Sequence, residues 1–100
     1  MNKVKFEVKK LKETKKEFES LSKDQQTILE SDYNIINKKG IEYVKVRPLA
    51  PKLFEIKSRD IRSLFKYKER QIIIIELIYE KNSQKAPNYH IKLAKKRLKP

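Results

Sequence analysis

The sequence of 100 residues contains no cysteine and no tryptophan, and it has a single glycine and a single histidine. Without cysteine it can form neither disulfides nor thiolate metal sites, and a reducing compartment is permitted. The lone histidine, His90, belongs to no HExxH or similar metal-binding spacing. One glycine is too few for a glycine-rich loop that cradles a nucleotide phosphate. We therefore expect neither a metal nor a cofactor.

Long apolar segments are also absent. The longest apolar run, residues 72–75, is far too short to span a bilayer. The first ten residues, MNKVKFEVKK, are charged throughout and contain no apolar signal-peptide core. We expect a cytoplasmic protein that does not contact a membrane. A chain of this length buries one modest core, so residues 1–100 are predicted to form a single domain.

Positive charge is what the chain has in excess. Lysine and arginine number 26 against 13 acidic residues, which gives a net charge of +13 and a pI near 9.9. Residues 51–100 carry 14 basic and 5 acidic side chains and hold most of this excess. Self-repulsion at such a charge costs stability, so a polyanionic partner is expected. The alternative is a lysine-rich surface without a specific partner.

Hydrophobic periodicity predicts the elements of the first forty residues. Residues 4–8 alternate apolar and charged side chains, as a half-buried strand does. Residues 9–20 have the pattern of a short amphipathic helix. Ser22 and Gln25 form the signature of a capping box, which predicts the start of a second helix. Gly40 is expected to end that helix. The two helices are predicted to form a hairpin on one face of a sheet.

After Gly40 the period changes from that of a helix to that of strands. Strands are predicted at residues 43–46, 53–57, 61–67 and 72–79. Pro48 and Pro51 mark a loop after the first of these strands. Pro87 fits the first turn of a final helix that continues to Leu98. The order β-α-α-β-β-β-β-α predicts an α+β fold, an antiparallel sheet with a helical hairpin before it and a helix after it.

Strand alternation predicts a cationic face on this sheet. Lys57 lies on the face opposite Phe54 and Ile56, and Arg62 shares a face with Lys66. Other side chains expected near this face, from a hairpin tip, a polar loop and the first turn of the last helix, are Arg59, Lys81, Lys85, Tyr89 and His90. Together they would form a concave cationic site that includes an imidazole and a phenol.

These residue types suit the cleavage of RNA. The 2′-hydroxyl must lose a proton to attack the adjacent phosphate, and the 5′-oxygen must gain one as it leaves. Arginine and lysine stabilise the extra negative charge of the intermediate. The general base is left open between Lys57, Glu55, His90 and Tyr89.

The second half of the chain contains, in this order, the segments LFEIK at 53–57, IRSLFKY at 61–67, YEKNSQKAP at 79–87 and IKLAKKRL at 91–98. This series resembles the RelE/ParE toxin superfamily, and most of all its HigB-like, phage-associated branch. The resemblance extends over residues 49–98, and in residues 1–48 it covers only the layout of a strand and two helices. Three positions depart from the usual pattern: Asn82 replaces a lysine, His90 a glutamate and Tyr79 a phenylalanine.

The resemblance implies a RelE-like microbial ribonuclease fold and the toxin of a type II toxin–antitoxin pair. It implies an endoribonuclease that cleaves mRNA on the ribosome, with a helix-turn-helix, HigA-like antitoxin as partner. Lys57 and Arg62 would bind or stabilise phosphate, and Lys81 and Lys85 would be loop cations near the substrate. Tyr89 and His90 are further catalytic candidates. Candidates for contact with RNA or the ribosome are Arg59, Lys66, Lys81, Lys85, Lys95 and Lys96.

Two other functions remain open from the sequence. A ParE-like protein with this fold would inhibit DNA gyrase without a catalytic set. A basic module could instead bind nucleic acid without any enzymatic activity. The nine aromatic residues show no arrangement of an exposed stacking platform, which argues against the latter.

Overall fold

The computed structural model describes residues 6–69, 71–82 and 87–98. Within them, five strands form one sheet and three helices pack on it. The strands are β1 (Glu7–Lys10), β2 (Lys45–Ala50), β3 (Leu53–Ser58), β4 (Ile61–Glu69) and β5 (Ile72–Glu80). The helices are α1 (Lys12–Glu19), α2 (Lys23–Lys39) and α3 (Pro87–Leu98), and a short 3₁₀ turn spans Ile41–Tyr43. The predicted α+β class is confirmed, and the 3₁₀ turn is an addition to the predicted order.

The strands lie in the order β1-β5-β4-β3-β2. From β5 to β2 every neighbouring pair is antiparallel, as predicted. The pair of β1 and β5 is parallel, so the sheet is mixed rather than wholly antiparallel. A parallel pair needs a long connection, which the chain provides with two helices and three strands between β1 and β5.

The first strand and the first helix are displaced from their predicted bounds. Lys9 and Lys10 were expected in the helix, but they extend β1 and pair with Ile74 and Ile75 of β5. Pairing with a central strand outweighs the helical preference of lysine. Residues 4 and 5 of the predicted strand lie outside the described residues.

The strand predicted at residues 43–46 begins and ends later. Tyr43 lies in the 3₁₀ turn, and β2 includes Pro48, which was expected in a loop. Proline is tolerated there because β2 is an edge strand, so the amide that proline lacks need not bond a neighbour. The pairing with β3 shifts its register between Pro48 and Ala50.

The predicted start and end of α2 are confirmed. The Gln25 amide donates to Ser22 Oγ at 3.1 Å, and the Ser22 amide donates to Gln25 Oε1 at 3.0 Å. This reciprocal pair satisfies two amides that the helix itself leaves without acceptors. Gly40 ends the helix at φ 121°, a conformation that disfavours any residue with a Cβ atom.

Two cores lie on opposite faces of the sheet. The larger one is covered by the hairpin of α1 and α2. Its members include Leu29, Tyr33, Ile36, Ile56, Ile61, Phe65, Ile73, Ile75 and Ile78. The smaller one lies under α3 and consists of Leu53, Leu64, Leu77 and Ala94. This second core is small, because α3 covers only part of this face of the sheet. The rest of the face is free for a site.

β1 pairs with residues 72–75 of β5. Beyond them, side chains from two helices form hydrogen bonds with the backbone of β5. The Ile78 amide donates to Glu17 Oε1 on α1 at 3.0 Å. Arg97 of α3 donates to the Glu76 carbonyl at 2.8 Å and forms an ion pair of 2.9 Å with Glu17. The ion pair therefore joins helices from the two faces of the sheet around its edge.

Glu76 occupies a bulge in β5. Leu64 pairs with Leu77 and Phe65 with Ile75, so Glu76 is the extra residue. Its side chain is fully buried, and neither carboxylate oxygen has a hydrogen-bond partner among the described residues. Burial raises the pKa of Glu76 to about 8, and the charge of Lys66 opposes this only in part. The carboxyl is therefore predominantly protonated at neutral pH.

Glu76 makes the stability of the protein depend on pH. Its pKa in the folded state lies above the ordinary value of 4.5, so the folded state binds more protons between pH 4.5 and about 8. We expect the free energy of unfolding to fall by up to a few kcal/mol as pH rises through this window. Urea unfolding at pH 5.5 and 8.5 measures the effect.

The variant Glu76→Gln cannot ionise, so we expect it to lose most of this fall. Glu19→Gln, at an exposed position of α1, is the matched control and should keep it. A Glu76→Gln protein with the same pH dependence as the wild type would contradict the assignment.

Candidate active site

A cleft of about 250 Å³ opens on the sheet face beside the first turn of α3. Strands β2 to β5 and α3 all contribute to it. Its lining residues are Arg47, Leu49, Glu55, Lys57, Arg62, Tyr79, Lys81, His90 and Ile91. Ala94 closes the second core one turn further along α3, so the cleft begins where the apolar packing ends.

The sheet register aligns the polar side chains of the cleft. Lys57 on β3 lies opposite Arg62 on β4, which in turn lies opposite Tyr79 on β5. Arg47 on β2 lies opposite Glu55 on β3. Directly opposed residues project from the same face with their Cβ atoms about 5 Å apart. Three strands therefore place a lysine, an arginine and a tyrosine in one row.

Arg62 is buried, and its position is fixed by backbone oxygens. One terminal nitrogen donates to the Arg59 carbonyl at 2.6 Å and to the Ile61 carbonyl at 3.1 Å. Arg59 holds a left-handed conformation, with φ 58°, in the turn between β3 and β4. Neither of the ion pairs recorded among the described residues involves Arg62. Since a guanidinium carries five N–H donors, capacity remains to bind a phosphate.

Glu55 is the acidic group of the cleft and is only 2% exposed. Arg47 Nε donates to its Oε1 at 2.8 Å, and the Tyr79 hydroxyl lies 3.5 Å from its Oε2. Burial, together with the negative charge of Glu55, raises the pKa of Tyr79. Tyr79 therefore remains a neutral phenol at physiological pH and can donate a hydrogen bond.

His90 is held by ring stacking. Its imidazole lies parallel to the Tyr79 ring, with centroids 3.6 Å apart and an interplanar angle of 7°. The Tyr89 ring meets it edge-on, with centroids 5.4 Å apart. His90 is 5% exposed and lines the cleft, whereas Tyr89 is 47% exposed and does not.

Five of the residues selected from the sequence meet in this cleft: Glu55, Lys57, Arg62, Lys81 and His90. The other predicted cations lie elsewhere. Arg59 is exposed at a hairpin tip, Lys95 and Lys96 are exposed on α3, and Lys66 lies near Glu76 outside the cleft lining. Lys85 lies outside the described residues.

The sequence pattern does not indicate Arg47 or Tyr79 as site residues. The proline next to Arg47 makes residues 47–51 resemble a loop, although Lys45 and Arg47 continue the strand alternation. Tyr79 belongs to the pattern of an apolar central strand. It lies at the end of that strand, where the buried face gives way to the cleft.

No cluster of three or more metal-ligating side chains occurs within residues 6–69, 71–82 and 87–98. None of the helices described is long and apolar enough to cross a membrane.

The fold is that of the RelE toxins. One similar structure is the archaeal RelE–RelB complex from Pyrococcus horikoshii OT3, with a TM-score of 0.63 and 20% identity over 78% of this chain and 97% of that one. Another is the isolated Escherichia coli RelE toxin, with a TM-score of 0.57 and 16% identity over 90% of this chain and 97% of that one.

Residues 16–99 match the model of the family described as "Phage derived protein Gp49-like (DUF891)", and the chain belongs to this family. No curated protein matches the sequence significantly. The resemblance to the RelE/ParE superfamily is confirmed by family and fold, whereas the HigB-like branch stays a prediction.

The ion pair of Arg47 and Glu55 is expected to contribute to the free energy of unfolding. Arg47→Ala removes the charged partner of the buried Glu55 carboxylate. Within the described part of the chain, Glu55 then keeps only the contact of 3.5 Å with the Tyr79 hydroxyl. We expect the free energy of unfolding to fall by about 1–3 kcal/mol, measured by urea denaturation. Lys45→Ala, an exposed cation on the same strand, should change it by less than about 0.5 kcal/mol. Equal effects of the two variants would contradict this role of Arg47.

Proposed function

We propose that the protein is the toxin of a type II toxin–antitoxin system and acts as a ribosome-dependent mRNA endoribonuclease. The observation that carries this proposal is the cleft itself. It joins fixed cations to an imidazole, a phenol and a carboxylate on the fold of the RelE toxins.

The cations of the cleft suit the charge that develops during cleavage. Attack of the 2′-hydroxyl on the phosphate gives an intermediate with one additional negative charge. Arg62 is already oriented by two carbonyl oxygens, so little reorganisation is needed to stabilise that charge. Lys57 lies beside it in the same row, and Lys81 lies at the mouth, where the chain leaves β5.

Proton transfer is assigned to candidate bases that line the cleft. Of the four candidate bases, Lys57, Glu55 and His90 line the cleft and Tyr89 does not. Glu55 is engaged by Arg47 and Tyr79, so we assign it to positioning rather than to proton transfer. His90 and Lys57 are then the groups that exchange protons with the 2′-hydroxyl and the 5′-oxygen.

The small volume of the cleft favours a substrate that the ribosome holds in place. Its volume of about 250 Å³ lies just below the range of small-molecule sites, which span roughly 300–1,000 Å³. It accommodates the reacting nucleotide but not the message around it. The ribosome would hold the message, and the exposed cations Lys95 and Lys96 would contact ribosomal RNA.

A protein of this activity needs an inhibitor in the same cell. The Pyrococcus structure is a complex of RelE with RelB. By analogy we propose an antitoxin for this chain, of the helix-turn-helix, HigA-like type, encoded beside it. Both proteins would act in the cytoplasm, where ribosomes translate the message.

Cleavage should depend on the cations in the row. We expect Arg62→Ala and Lys57→Ala each to lower the rate of mRNA cleavage by about 10²-fold or more, because each removes a group that stabilises the transition state. Primer extension on a message undergoing translation in a purified system measures cut sites and rates. Lys23→Ala, an exposed lysine of α2, is the charge-matched control and should cut like the wild type.

Two outcomes would reject the proposed activity, and a third would change the assignment of the site. An intact message with inhibited DNA gyrase would assign the protein to gyrase poisoning. An intact message with active gyrase would leave non-enzymatic binding of nucleic acid as the remaining function. Full cleavage by Arg62→Ala, with circular dichroism showing a native fold, would remove Arg62 from the site.

A further inference from the structure

A second groove lies on the other side of Lys57. It has a volume of about 540 Å³ and opens between α2, the 3₁₀ turn and the hairpin of β2 and β3. Lys57 lines both this groove and the cleft, so the two meet at this side chain. The proposed activity uses only the cleft.

Three of the described cations line the groove. Lys45 and Lys57 lie directly opposite each other on β2 and β3, an arrangement in which like charges repel. Arg59 adds a third cation from the hairpin tip. None of the three takes part in an ion pair recorded for the described part of the chain. An anion bound between them would relieve the repulsion.

Among the described residues, Asp32 is the one acidic side chain that lines the groove. It accepts a hydrogen bond of 2.6 Å from Ser58 Oγ, which ties its carboxylate to the end of β3 but leaves its charge in place. Three cations against one carboxylate still give the groove an excess of positive charge.

The groove also has an exposed aromatic ring. Tyr43 is 61% exposed in the 3₁₀ turn and is the most exposed large apolar side chain recorded for residues 6–69, 71–82 and 87–98. Its backbone is fixed by a hydrogen bond from its amide to the Gly40 carbonyl at 3.3 Å. Lys39 Nζ lies 6.0 Å from its ring centroid and adds another cation beside it. An accessible ring next to cations is the combination by which proteins bind single-stranded nucleic acids.

We propose that this groove binds a single-stranded segment of RNA adjacent to the bond positioned in the cleft. The Tyr43 ring stacks on an unpaired base. Lys45 and Arg59 bind the phosphates beside it, and Lys57 connects the two subsites. That the segment flanks a cleaved bond rests on the proposed function, whereas binding of single-stranded RNA in the groove does not.

The test is equilibrium binding of a fluorescently labelled single-stranded RNA of twelve nucleotides, 2′-O-methylated so that it cannot be cleaved. We expect Tyr43→Ala to weaken binding by about 10-fold, since stacking of one base is lost. Tyr43→Phe keeps the ring and should restore most of the affinity. A duplex of the same sequence should not distinguish Tyr43→Ala from the wild type, because its bases are not free to stack.

The salt dependence tests the cations. Lys45→Ala should reduce the slope of log K against log salt concentration by about 0.7, the value for one phosphate contact with a single strand. Lys23→Ala, with the same change of charge away from the groove, should leave the slope as in the wild type.

Binding by Tyr43→Ala equal to that of the wild type, or no binding by the wild type itself, would overturn the inference. Primer extension distinguishes failure of this inference from failure of the proposed function. If the wild type cuts the message but Tyr43→Ala binds RNA as tightly as the wild type, the proposed activity stands and the RNA site in the groove is rejected. If the wild type cuts no message but binds single-stranded RNA through Tyr43, the RNA site stands and the proposed activity is rejected.

Discussion

The burial of β5 is the constraint on which the rest of the structure depends. It is a central strand, covered by the helical hairpin on one face and by α3 on the other. β1 pairs with only its first half, so the remaining backbone groups need other partners. Glu17 and Arg97 supply them and join to each other, which ties both helical layers to one edge of the sheet. The position of α3 is fixed by these contacts.

The position of α3 in turn creates the cleft. Ala94 packs on the second core, and one turn earlier His90 reaches the end of β5, where it stacks on Tyr79. The apolar face of the sheet changes there to a polar one. A buried polar group must be paired, and Glu55 meets this requirement through Arg47 and Tyr79. The same contacts that satisfy buried groups thus orient the side chains of the site.

Periodicity in the sequence was sufficient for most of the fold. The capping box at Ser22, the end of α2 at Gly40 and the four strands after it follow from local rules, and their order excludes other classes. The errors lie where tertiary contacts outweigh local preference. Lys9 and Lys10 join β1 because β5 offers them partners, and Pro48 lies in a strand because that strand is at the edge.

The sequence by itself determined the charge of the surface, the α+β class and the alternation that places Lys57 and Arg62 on one face. It also provided the resemblance to RelE toxins. Only the tertiary structure decided which cations meet, because that depends on register across four strands and on where α3 lies. It separated Lys66 from the cleft and brought in Arg47 and Tyr79. Such contacts join residues far apart in the chain, and no local pattern encodes their distances.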